Sequence, residues 1–94
     1  MKVGLLTLRL HLPNTSSLKE KRSIVKGILA DVERRGTAFA AAEVAELDTV
    51  DRATIRIAHV SNDPRHTDSA LAQVLRALER GREYTVEASE EEIL

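Results

Sequence analysis

The chain has 94 residues, 14 Lys and Arg against 15 Asp and Glu for a net charge of −1, no Cys, no Trp, one Tyr and one Phe. That length predicts a single domain, residues 1–94. The missing thiols exclude a disulfide scaffold, a thiolate zinc site, an iron–sulfur cluster and a cysteine nucleophile.

Residues 3–12 alternate, with Leu6, Leu8, Leu10 and Leu12 on one face and Thr7, Arg9 and His11 on the other. A period of two predicts a half-buried strand. Pro13 and the polar run Asn14-Thr15-Ser16-Ser17 end it. Ser17, with Glu20 three residues on, is a capping-box signature. Leu18, Val25, Ile28, Leu29 and Val32 then recur at helical spacing up to Arg34-Arg35-Gly36. Residues 38–47 are Ala-rich, but they follow a closed helix and precede the turn-like Asp48-Thr49-Val50-Asp51. The alternating run 52–60 comes next, so the two segments predict a hairpin. The small side chains of its first strand imply that something packs close on it. Asp63 before Pro64 opens a second helix. Its apolar stripe is Thr67, Ala70, Leu71, Val74, Leu75 and Leu78, and Gly81 stops it. Residues 84–88 predict a last strand, and 89–94 an acidic tail.

The order β-α-β-β-α-β predicts an α+β, ferredoxin-like sandwich, a four-stranded antiparallel sheet in the order 4-1-3-2 with two helices on one face. The other face is open and carries Leu5, Thr7, Arg9, His11 and Arg56. A chain this small gains apolar area by burying such a face on a second copy, so the predicted partner is a homodimer formed through that face or an edge strand.

Charge is unevenly spread. Residues 1–35 hold eight basic and three acidic side chains, and residues 36–94 hold six and twelve. The near-neutral total argues against general nucleic-acid binding, while the asymmetry leaves a local basic patch open. Ten Arg against four Lys, with few Asn and Gln, is a thermophile-like composition. No apolar run reaches the roughly 18–20 residues of a membrane span, and Arg9 and His11 interrupt the first apolar stretch. The expectation is a cytoplasmic protein with no leader and no membrane contact.

The run Leu18-Lys19-Glu20-Lys21-Arg22-Ser23-Ile24-Val25-Lys26, preceded by Leu12-Pro13, resembles the signature of the YlxP-like family, bacterial proteins of unknown function. Ala42-Glu43-Val44 and Val60-Ser61-Asn62-Asp63 resemble it too. The resemblance spans nearly the whole chain. It implies a ferredoxin-like fold, supplies no catalytic residues, and implies a setting near RNA or the translation machinery. The chain departs from the family pattern at Asp48–Asp51, where relatives often place an aromatic, and at His59, where they tend to be aliphatic.

A second candidate site follows from the topology, which is expected to set the first and third strands side by side, parallel and central, so that both helices begin at one edge of the sheet. Backbone N–H groups and Ser17, Lys19, Lys21, Arg22, Lys26 and Arg65 would gather there as anion or RNA contacts. Ordinary capping by Ser17 and Asp63, with solvated charges on a helix face, explains the same residues. His11 and His59 could ligate a metal, but strand parity sends them to opposite faces and no further ligands accompany them. No phosphate-cradling glycine loop, metalloprotease motif or oriented Ser–His–carboxylate set is present. The central strands lack the aromatics on which RNA-recognition motifs stack bases. The sequence therefore predicts no catalytic residue, no metal and no cofactor. It predicts a non-enzymatic, homodimeric interaction module, associated with RNA or the translation machinery through the resemblance. The alternative is an anion- or small-molecule-binding regulatory domain using the helix N-termini after the first and third strands.

Overall fold

A computed structural model describes residues 1–94, which run β1 (Lys2–His11), α1 (Leu18–Glu33), β2 (Phe39–Ala45), β3 (Arg52–Ser61), α2 (Pro64–Glu79) and β4 (Thr85–Ile93). The strands form one antiparallel sheet in the order β2-β3-β1-β4, the α+β ferredoxin-like layout that the patterning implies. Period-two alternation drives Leu6, Leu8 and Leu10 of β1 and Ala53, Ile55 and Ile57 of β3 to the helix side. There they meet Val25, Ile28 and Val32 of α1 and Leu71, Val74 and Leu78 of α2. No helix is long and apolar enough to cross a membrane.

The helix boundaries follow local chemistry. Ser17 is extended, and its Oγ accepts a hydrogen bond from Glu20 N (3.1 Å). The Glu20 carboxylate does not return to the Ser17 amide as in a full capping box; it accepts from Ser16 Oγ (2.8 Å). After α1, Gly36 takes a φ of +151°, which side-chain-bearing residues rarely adopt, and the chain turns into β2. Asp63 caps α2 by accepting from Arg65 N (2.9 Å), with Pro64 in the first turn. Gly4 lets α2 lie close on β1, since a Cβ there would sit 2.7 Å from a Leu71 methyl.

Two expectations are corrected. First, β1 and β3 are antiparallel, with Lys2 beside Ser61 and His11 beside Arg52. The reason is the number of chain reversals. The chain returns along α1, so β2 runs in the direction of β1, and the hairpin then sends β3 the other way. The N-terminus of α1 follows the end of β1, that of α2 follows the end of β3, and the two lie at opposite ends of the sheet. Second, the acidic segment 89–94 is not a tail. It extends β4 to Ile93, and Leu94 N donates to Val3 O (2.8 Å). A bulge between Arg9 and Leu10 resets the register, and beyond it Thr7, Leu6 and Leu5 lie beside Glu90, Glu91 and Glu92. Ladder hydrogen bonds use the backbone alone, so an acidic sequence can pair as long as its side chains reach water.

Candidate functional site

The six residues expected to form one basic site separate. Ser17 is occupied as the cap of α1. Lys21 is 0% exposed. It stands four, seven and eleven residues before Val25, Ile28 and Val32, on the stripe that faces the sheet. Its Nζ lies 2.8 Å from Glu43 Oε2 and donates to the carbonyl of Glu46, the one non-glycine residue with positive φ (60°). Glu43 Oε2 has no hydrogen-bond partner apart from this ion pair. Lys21 therefore ties α1 to the end of β2 and is withdrawn from any external anion. Lys19, Arg22 and Lys26 remain exposed along one side of α1, and Arg22 reaches Asp48 at 3.6 Å. Arg65 is exposed at the start of α2, 3.5 Å from Asp63 and at the other end of the sheet. The shared site at two helix N-termini is thus not assembled, because β1 and β3 are antiparallel.

The open face is assembled as the alternation requires. Leu5, Thr7, Arg9 and His11 lie beside Ala58, Arg56, Thr54 and Arg52. Its rim is polar. His11 Nε2 is 3.9 Å from Asp51, Arg9 is 3.8 Å from Glu46, and Arg52 pairs with Glu87 at the β4 bulge. The centre divides in two. Arg56 Nε donates to Thr7 Oγ1 (3.1 Å), and Arg56 shares a hollow with Glu90 and Glu92 of β4. Toward β2 the face is apolar. Leu5, Ala40, Ala42, Val44 and Ala58 line a shallow depression of about 250 Å³ that Arg56 borders, with Val44 44% exposed. The alanines of β2 were legible as small residues awaiting a close neighbour, but no part of this chain covers them on that face.

His59 points the other way, into the helix side beside Gly4, and is 2% exposed. Its Nδ1 lies 3.1 Å from Thr67 Oγ1, and Thr67 Oγ1 lies 2.7 Å from Ser61 Oγ. His11 and His59 thus occupy opposite faces of the sheet. Burial, and then the nearby His66, hold the His59 pKa below the usual imidazole value.

Among solved structures the fold is similar to part of an amidase of the hydantoinase/carbamoylase family from Burkholderia phymatum, with a TM-score of 0.57 and 9% identity over 99% of this chain. This chain spans 28% of that protein's length. The fold is also similar to the de novo designed protein Foldit4, with a TM-score of 0.53 and 17% identity over 100% of this chain and 94% of that one. At these identities the likeness is one of fold alone. No curated protein matches the sequence. A family profile does match, over residues 3–91, and the chain belongs to that family, the proteins of unknown function DUF503.

Proposed function

We propose that this chain is a non-catalytic interaction module that works as a homodimer, with a second copy covering the apolar half of its open sheet face. The carrying observation is the strip formed by Leu5, Ala40, Ala42, Val44 and Ala58. It is a patch of small and aliphatic side chains with the close-packing surface that a second backbone layer needs. Charge supports a second copy as the occupant. Arg56 of β3 borders the strip, but its Nε is held by Thr7 and it shares a hollow with Glu90 and Glu92, so the one charge at the strip's edge is turned toward β1 and β4. A two-fold axis parallel to the strands and running between β2 and β3 would lay that half of the face on its own copy, set Arg56 over alanines of β2 and keep both acidic rows in water.

Within DUF503 we place the chain among the YlxP-like proteins, on the runs Leu18–Lys26 and Val60–Asp63. We assign it a cytoplasmic setting beside RNA or the translation machinery. The exposed row Lys19, Arg22 and Lys26 supports a phosphate-facing role for α1, and the antiparallel placing of the two helix N-termini disfavours the regulatory alternative. Sedimentation velocity tests the dimer. The native chain should sediment as a dimer at micromolar concentration, and Ala42→Glu, on an exposed site, should return it to monomer with an unchanged circular dichroism spectrum. A native chain that stays monomeric at high micromolar concentration overturns the reading.

A further inference from the structure

A cleft of about 620 Å³ lies on the other side of the molecule, between α2 and the loop from α1 to β2. That volume is within the range of about 300–1,000 Å³ typical of small-molecule sites. Gly36, Ala38 and Ala70 are among its lining residues and add little side-chain bulk to it. His66, Ala70 and Gln73 stand on one side of α2 and form a wall, with Arg35 and Thr37 facing them from the loop. Phe39 and His59 form the floor, edge to face with ring centroids 4.7 Å apart, and the His66 ring is 5.4 Å from His59. No carboxylate lines the cleft, although the chain carries 15 of them.

The hydroxyl protons decide what His59 offers. Ser61 Oγ donates to the carbonyl of Asp63 (2.7 Å), which uses its only proton. The Thr67 hydroxyl, 2.7 Å from Ser61 Oγ, must then be the donor in that contact. With its proton spent, Thr67 Oγ1 can only accept from His59, so the imidazole carries its hydrogen on Nδ1. Nε2 is left as a bare acceptor with no partner in the chain, on a ring that borders the cleft. Burial favours the neutral ring, in keeping with this assignment.

We propose that this cleft binds a small aromatic anion that also carries an O–H or N–H donor. The anionic group is held by the Arg35 guanidinium, the ring lies against Phe39, and the donor hydrogen-bonds to Nε2 of His59. An anion without a ring would leave Phe39 unused, and a ring without a donor would leave Nε2 desolvated and unpaired, which is costly. The site lies on the helix side of the sheet and does not depend on the dimer proposed above.

Titration with 4-hydroxybenzoate, benzoate and inorganic phosphate, followed by the nitrogen and proton resonances of the intact chain, tests the proposal. 4-Hydroxybenzoate should saturate, move the His59 Nε2 resonance and shift amides of residues 35–39 and 66–74. Benzoate, with the same charge and ring but no donor, should bind about fivefold more weakly. Arg35→Gln, an exposed change that leaves the core untouched, should weaken 4-hydroxybenzoate about tenfold. The proposal is overturned by any of three results: no saturation by 4-hydroxybenzoate at millimolar concentration, equal affinity for benzoate with no movement of His59 Nε2, or phosphate binding as tightly as the aromatic acid.

Discussion

Lys21 shows how a charged residue can be read in two ways. By type it belongs with Lys19, Arg22 and Lys26 as a solvated cation, and by position it belongs with Val25, Ile28 and Val32 on the buried stripe. Position prevails because a partner, Glu43, meets it at 2.8 Å and the Glu46 carbonyl accepts a hydrogen bond from its ammonium. A buried charge that loses its partner is far more costly than a buried pair removed together. Lys21→Ala should therefore destabilise the fold by about 3–5 kcal/mol, and Lys21→Met combined with Glu43→Leu should recover most of that loss in urea unfolding. The helical spacing was there to be read, but a lysine's side-chain type masked it. The cleft around His59 was less legible. Alternation placed His59 on the core side, yet its hydroxyl partner Thr67 comes beside it only when α2 folds back across the sheet.

Elements whose apolar residues carry the period were read to within a few positions, as with β1, α1, β3 and α2. The extent of β4 was not legible, because one acidic residue after another erases the contrast between its faces. Strand direction was missed for another reason: it depends on how many times the chain turns back, a property of no single segment. The acidic half of β4 has its own electrostatics. Glu91 lies beside Leu6, on the helix side of the sheet. Its pKa is raised from the ordinary 4.5 to about 7, first by a hydrogen bond with Asp68, then by burial and by the charge of Asp68. The folded value lies above the unfolded one, so its contribution to stability is fully present below about 4.5 and is lost as pH rises through about 7. The seam between β4 and α2 should loosen over that window, seen as a falling melting temperature and faster amide exchange in β4. Glu91→Gln keeps a neutral hydrogen-bonding partner for Asp68 and should remove much of the loosening. An unchanged pH profile in that variant would place its cause elsewhere.

For the molecule as a whole, a net charge of −1 conceals a division of labour. The basic row of α1 and the acidic strand β4 belong to different parts of the surface. If α1 meets the phosphates of RNA, affinity should fall steeply with salt. Lys19→Glu with Lys26→Glu should weaken it by a further tenfold or more in filter binding, whereas Lys21 variants would act only through folding. Binding that ignores salt would exclude a phosphate contact by this helix.

The β4 edge has a consequence for how copies can accumulate. An open sheet has two free borders, and a chain that adhered at both could add neighbours without limit, as fibres do. Here one border carries Glu87, Glu90, Glu91 and Glu92, so a like strand approaching it would meet its own charge. The other border, β2, has Ala40, Ala41 and Ala42 and no such barrier. Pairing of β4 with β4 is thus opposed by charge, and any symmetric edge contact between copies is left to β2.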